Sequence, residues 1–312
     1  MRILITGASG LLGINLALEA ARQHRVYGQV NSHPIETDQF TVLQANLLEP
    51  GAMEHLLEIS QPDWVIHCAA LANLEDCERD PELARELNTE VPRDLASLCR
   101  KGGARFLHVS TDAVFDGQRG SYIETDLPNP LSIYAQTKLA AEQAVSDANP
   151  EALIGRVNLF GWSLSAKRSL AEFFFYRLQA GEAVMGFTDV YFCPLLANDL
   201  GRIFLAMLEK GLVGLYHVLS PQCISKYDFG VALAQQFGLD ASLIQPTSVQ
   251  QSGLKAARSP NLTLKIDKLM RDLGDSPPSI FTGLARLHTL YQQGYPQYLQ
   301  RIANQKPSIN PL

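Results

Sequence analysis

A glycine-rich junction in the first dozen residues constrains this chain more than any other feature. Ile3-Leu4-Ile5 is an apolar run that reads as a buried strand. It passes directly into Thr6-Gly7-Ala8-Ser9-Gly10-Leu11-Leu12-Gly13, and a helical pattern opens at Leu11. Glycines spaced GxxGxxG between a strand and a helix each meet a separate demand. Gly7 permits the tight turn, Gly10 lets backbone approach a pyrophosphate, and Gly13 lets helix and strand pack closely. The helix N-terminus then presents free N–H groups and the positive end of a dipole to an anion. The junction predicts dinucleotide binding, with Gly7, Ser9, Gly10, Leu11 and Leu12 around the phosphates.

The pattern after the junction repeats strand and helix. Leu11 to Gln23 reads as a helix, with Leu12, Leu16 and Ala20 on one face. Val26 to Val30, Phe40 to Gln44, Trp64 to Cys68, Arg105 to Val109 and Ala152 to Val157 read as strands. Glu49 to Ile59, Pro81 to Leu98 and Ser132 to Ser146 read as helices between them. Strands without polar alternation, separated by helices, predict an α/β fold: a doubly wound parallel sheet of the Rossmann type. The second half is less regular. Leu170 to Ala180, Leu200 to Glu209, Lys226 to Phe237, Lys265 to Leu273 and Phe281 to Gln293 read as helices, and Gly214 to Val218 as a strand. Turn-forming residues thicken from Gln245 to Pro260, and Gln305 to Leu312 reads as a frayed end. The expected division is a dinucleotide-binding domain over 1–160, with a returning segment near 196–220. A smaller C-terminal substrate-binding lobe takes 161–195 and 221–312.

Composition excludes several classes. Of 312 residues, 46% are hydrophobic, which suffices for a large core. Net charge is −6 with no basic run, which argues against nucleic acid as a partner. No stretch is long and apolar enough to span a bilayer, and the N-terminal run turns polar too early for a secretory segment. The five cysteines, Cys68, Cys77, Cys99, Cys193 and Cys223, are odd in number and never spaced CxxC. They predict packing roles rather than a disulfide framework or a metal site, in a reduced, cytoplasmic setting.

The end of the second strand bears on which dinucleotide is held. NAD-selective sites place an Asp or Glu there for the ribose 2′-hydroxyl. This chain has Gln29, Val30, Asn31, Ser32 and His33, with no acid before Glu36. The missing carboxylate removes the repulsion against a 2′-phosphate, and Ser32 and His33 offer donors, although no Arg follows. NADP(H) is therefore expected over NAD(H). Asn46 and Leu47 close the third strand where an adenine would rest.

Tyr134 and Lys138 stand at i and i+4 of a helix and so share a face. A lysine beside a phenol favours the phenolate, and such a tyrosine exchanges a proton with a carbonyl or alcohol oxygen. Thr111 ends the fifth strand at the carboxyl edge of the sheet and adds a hydroxyl for the same oxygen. The expected catalytic set is Thr111, Tyr134 and Lys138.

At this point the chain resembles the extended short-chain dehydrogenase/reductase family, and within it the dTDP-4-dehydrorhamnose reductase branch. The carriers run nearly end to end: TGASGLLG at 6–13, HCAALANLEDCERDP at 67–81, VSTDAVFDG at 109–117, PNPLSIYAQTK at 128–138, RVNLFGW at 156–162, GLYHVLS at 214–220, SKYDFG at 225–230 and RSPNLTL at 258–264. The resemblance implies reduction of the 4-keto group of a nucleotide-linked 6-deoxy sugar, with NADPH as hydride source. It makes Tyr134 the general acid and gives Lys138 the nicotinamide ribose. It implies that Thr111 bonds the keto oxygen, that Ala69, Ala70 and Leu71 line the cofactor, and that Asn88 supports the site through water. Val157 and Asn158 would flank the nicotinamide. Arg258, Lys226 and Arg168 are candidates for the substrate's diphosphate. A homodimer is also expected from some members, although their metal-binding Glu in the first helix is Asn15 here. A sugar-contacting tryptophan of some members falls at Leu159, with Trp162 nearby.

Three alternatives stay open. A dehydratase resembling this chain carries Asp-Glu after the Thr, whereas Asp112 is followed by Ala113. An epimerase holds NAD⁺ tightly, which the missing acid disfavours. A similar branch, the methionine adenosyltransferase regulatory β subunit, serves a partner protein instead. His67 and His108 read as packed strand residues, His217 as a support between lobes, and Phe173 to Tyr176 as core or a subunit contact.

Overall fold

Strands that lack polar alternation need cover on both faces, and seven such strands pair in this chain. The computed structural model describes residues 1–251 and 259–304. The strands are β1 (Arg2–Thr6), β2 (Arg25–Val30), β3 (Thr41–Gln44), β4 (Trp64–His67), β5 (Arg105–Thr111), β6 (Leu153–Val157) and β7 (Gly214–Val218). They lie in the order β7-β6-β5-β4-β1-β2-β3, and every neighbouring pair is parallel. Ile3, Leu4 and Ile5 are wholly buried at the sheet centre. The order reverses between β1 and β4, and the carboxyl ends of these strands open the crevice where doubly wound sheets bind ligands. The α/β doubly wound expectation holds.

Helix boundaries differ where caps and prolines intervene. The first helix, α1 (Leu11–Ala20), stops three residues short of Gln23, which lies in a turn. The helical reading over Pro81 to Leu98 is broken. Helices Leu74–Arg79 and Pro81–Arg85 precede a π-helical turn at Glu86–Glu90, and a further helix spans Val91–Gly102. Asp80 caps the second of these, accepting from the Leu83 N–H at 3.0 Å, and Pro81 sits where a missing N–H costs nothing. Leu74–Arg79 and Tyr295–Asn304 went unread as helices. Three small sheets show no signal in the sequence: Leu159–Phe160 with Leu195–Leu196, Val184–Phe187 with Ile244–Thr247, and Tyr191–Phe192 between Ile224–Ser225 and Asn261–Leu262. Strands of two to four residues are too short to display a period. Part of the Gln245 to Pro260 reading, and the whole of Gln305 to Leu312, lie outside the described residues.

One cysteine expectation is overturned. Cys193 and Cys223 form a disulfide across a separation of 30 residues. That spacing carries no signal. Folding brings the two together where the Ser220 N–H donates to the Cys193 carbonyl at 3.1 Å. Cys68, Cys77 and Cys99 are free thiols. Among the described residues no helix is long and apolar enough to cross a membrane.

The aromatic run divides: its middle pair is core, while Phe173 is exposed and Tyr176 half-buried. Phe174 and Phe175 are buried, and Trp162 packs edge-on against Phe175 at 5.1 Å. Trp162 is wholly buried and donates its indole N–H to the Leu287 carbonyl at 3.1 Å, so it is no wall for a sugar. Asn15 is equally enclosed. Its amide donates to the Leu11 and Trp162 carbonyls, and its oxygen accepts from the Tyr295 hydroxyl.

Candidate active site

The glycine junction is shaped by close backbone approach. Gly7 has φ +66°, and a Cβ there would stand 2.7 Å from the Ala69 backbone at the end of β4. A Cβ on Gly13 would fall 2.1 Å from the Gly7 carbonyl oxygen. Gly13 thus makes room for the loop itself more than for the strand. Gly10 precedes α1 in extended backbone with no side-chain cap, so the first-turn N–H groups remain for an external anion. Gln29, on β2, fixes the loop from the side. Its carbonyl oxygen accepts from the Gly7 N–H at 3.0 Å, and its amide donates to the Ala45 carbonyl at 2.7 Å. The strand end thus carries an amide that serves the loop rather than an acid for the ribose.

A cleft of about 710 Å³ opens beside this loop. Gly7, Ser9 and Gly10 form its floor, Asn31, Ser32, His33 and Leu47 one end, and Ala69, Ala70 and Leu71 a wall. Its size, its glycine cradle and its uncapped helix end fit a dinucleotide. The other residues expected there act differently. Leu12 and Val157 turn into the core. Asn46 folds back to accept from the Leu48 N–H at 3.2 Å, and Leu11 opens the helix. Asn88 is wholly buried on the π-helical turn. It brackets Leu71, accepting from the Leu71 N–H at 2.8 Å and donating to the Leu71 carbonyl and the Thr137 hydroxyl at 3.1 Å each. These bonds tie Leu71 to the Tyr134 helix through Thr137.

Tyr134 and Lys138 lie on the helix Ile133–Ala148, which Ser132 caps by accepting from the Ala135 N–H at 3.2 Å. The Thr111 hydroxyl, at the carboxyl end of β5, lies beside the Tyr134 phenol and pulls its pKa down, while itself donating to the Asp112 carboxylate. Burial pushes that phenol up to about 12, and the neighbouring Asp112 carboxylate adds to the shift. The expectation that Lys138 would favour the phenolate is corrected. The Lys138 ammonium turns toward the sheet, donating to the Val109 carbonyl at 2.7 Å and meeting His108 Nε2 at 3.1 Å. Burial lowers Lys138 to about 8, against the opposing pull of Glu142. His108 and His67 are buried and stacked, 5.6 Å between ring centres, and burial holds both neutral. His108 therefore does more than fill space: its Nε2 accepts a hydrogen bond from the Lys138 ammonium. No spacing pattern links residues 108 and 138.

Asp112 is the unread member of the site. It is buried, and its carboxylate accepts from the Asn158 amide at 2.7 Å and the Thr111 hydroxyl at 3.3 Å. Burial raises it to about 6, with Asn158, Thr111 and the charge of Lys226 pulling the other way. The native state holds this proton more tightly than the unfolded chain does. Stability is full below the ordinary aspartate range and is lost as pH rises through about 6. Asp112→Asn, which keeps an acceptor for Asn158, is expected to gain about 1–3 kcal/mol near pH 8 and nothing near pH 4. Chemical denaturation at the two pH values measures this, and equal effects at both would refute it.

A smaller cavity of about 160 Å³ is lined in part by Ala113, Asn158, Tyr191 and Lys226. Lys226 opens the helix Lys226–Phe237, and its charge reaches Asp112. Arg168 opens onto the dinucleotide cleft instead. Arg258 lies outside the described residues.

The RmlD substrate binding domain family matches residues 1–293. A probable low-salt glycan biosynthesis reductase of Haloferax volcanii is 33% identical over 296 residues, covering 93% of this chain and 98% of that protein. Methionine adenosyltransferase 2 subunit beta of Danio rerio is 32% identical over 86% of this chain and 84% of its own length. Among solved structures, a dTDP-4-dehydrorhamnose reductase of Clostridium acetobutylicum superposes with a TM-score of 0.80 at 25% identity, covering 94% of this chain and all of that one.

Proposed function

The chain belongs to the RmlD substrate binding domain family of the extended short-chain dehydrogenase/reductase type, and on that premise we propose that it reduces the 4-keto group of a nucleotide-linked 6-deoxy sugar with NADPH. The observation that carries this reading is the Thr111 and Tyr134 hydroxyls side by side at the carboxyl edge of β5, with buried Lys138 one turn further along the Tyr134 helix. A bound dinucleotide supplies the hydride. Tyr134, neutral across the physiological range, gives its phenolic proton to the keto oxygen as negative charge develops there. Thr111 donates to the same oxygen, and Lys138 adds fixed positive charge close by. Gly7, Ser9 and Gly10 hold the pyrophosphate, and Ala69 to Leu71 flank the dinucleotide. The neutral end of β2 supports NADP(H) over NAD(H), because Gln29 presents no charge against a 2′-phosphate. Residues 1–160 with 196–220 serve the dinucleotide, and 161–195 with 221–312 the sugar. The seventh strand supports this division by returning to the main sheet.

The test is NADPH consumption with a dTDP-4-keto-6-deoxy sugar. Absorbance loss is expected, with NADPH bound at least as tightly as NADH in titration. The likeness to a methionine adenosyltransferase β subunit supports a second reading, a regulatory role. Firm NADPH binding without turnover, together with stable capture of a methionine adenosyltransferase catalytic subunit, would favour that role.

A further inference from the structure

We propose that Lys167 and Arg168 form a cationic clasp over the pyrophosphate of the bound dinucleotide. The inference rests on the dinucleotide reading of the cleft and names side chains for it from outside the glycine loop. Both residues line the 710 Å³ cleft together with Ser9 and Gly10. Neither forms an ion pair among the described residues. The acid in the same cleft, Asp76, is already matched by Arg79 at 2.6 Å.

The loop that carries them is a built device. Its root is tied to the first helix, since the Asn15 amide holds the Trp162 carbonyl at 2.9 Å. Its far end is gathered on one buried carboxylate. Glu172 accepts from the Ser163 N–H at 2.6 Å, the Ser163 hydroxyl at 2.9 Å, the Arg168 N–H at 2.9 Å and the Ser169 N–H at 3.2 Å. The Ser169 hydroxyl closes the loop on the Gly161 carbonyl at 2.7 Å. Between these anchors Ala166 sits at φ +56°, a left-handed conformation that a residue with a Cβ rarely adopts. It turns the chain immediately before the two cations. The backbone of Arg168 is thereby pinned while its side chain stays exposed on the cleft.

The chemistry matches a diphosphate. The glycine loop offers N–H groups and a helix dipole but no full charge, and no Arg follows β2. A chain of net charge −6 also repels an approaching anion, so two cations at the cleft mouth favour capture. Commitment to the pyrophosphate follows from the cleft lining, which sets Lys167 and Arg168 in one cleft with Ser9 and Gly10 of the glycine loop.

Lys167→Gln, Arg168→Gln and the double variant test the clasp by fluorescence titration of NADPH and NADH at low and high salt. Each single change is expected to raise Kd about tenfold for both dinucleotides, as loss of one charge-assisted bond does. The double variant should lose much of the salt dependence shown by the unaltered protein. Circular dichroism and thermal melting confirm that folding is retained. An unchanged Kd in the double variant overturns the clasp and leaves two surface charges. A loss confined to NADPH also overturns it, moving the cations to the 2′-phosphate. If the unaltered chain binds neither dinucleotide, the reading of the cleft fails, and the clasp with it.

Discussion

Tyr134→Phe is expected to lower kcat by about 10²–10⁴-fold, the usual worth of a positioned general acid. NADPH affinity should stay within about twofold, because the substitution removes no charged contact. The change deletes one oxygen and keeps the ring, so the helix Ile133–Ala148 and its Ser132 cap are untouched. What disappears is the phenolic proton beside the Thr111 hydroxyl. The phenol is well suited to that work. Its elevated pKa, about 12, keeps the proton in place until an alkoxide forms beside it. Nearby Asp112, raised only to about 6, has already lost its proton at neutral pH and is no substitute. Stopped-flow or steady-state loss of NADPH absorbance measures kcat, and quenching of protein fluorescence measures binding. Turnover within a few-fold of the parent would sink Tyr134 as the acid.

The parts of this chain that sequence made legible are those whose physics is local. In the glycine junction Gly10 and Gly13 close on Gly7 within eight residues, so spacing displays it even though Gly7 also packs against distant Ala69. The i, i+4 relation of Tyr134 and Lys138 is likewise a property of one helix. What stayed hidden depends on contacts between elements. Lys138 meets His108, 30 residues earlier, only because β5 runs under the helix. Asp112 finds Asn158 across 46 residues, and Gln29 holds Gly7 across 22. The Cys193–Cys223 disulfide is hidden for the same reason. The phenolate expectation failed in an instructive way. Sequence placed a cation near Tyr134, but burial and the direction of the lysine side chain decide the sign of the shift.

Arg156→Met is expected to cost about 3–5 kcal/mol of folding stability, as removal of one partner from a buried ion pair does. Arg156 on β6 and Glu142 on the helix Ile133–Ala148 are both nearly inaccessible, and they meet in a two-pronged bond at 2.9 and 2.7 Å. The Ser110 hydroxyl donates to the same carboxylate. The guanidinium lies 5.0 Å from the centre of the Phe115 ring, and Nη1 donates to His217 Nε2 at 3.4 Å. His217 in turn donates from Nδ1 to the Lys265 carbonyl, which joins β7 to the C-terminal segment. Methionine fills a similar volume but strips Glu142 of its bonded guanidinium, leaving the Ser110 hydroxyl as its hydrogen-bond partner and Lys138 as the nearby charge. The double variant Arg156→Met/Glu142→Met removes both charges and should recover most of the loss, since desolvation then costs nothing on either side. Urea denaturation of the parent and the two variants decides the point: a double variant as unstable as the single would mean that lost packing, not an orphaned charge, is responsible. Turnover carries a separate message. Ser110 immediately precedes Thr111, and Glu142 lies one turn beyond Lys138 on the helix that carries Tyr134. A double variant that folds firmly yet loses kcat would show that the pair is kept for the alignment of helix against strand, at the place where the two hydroxyls must meet.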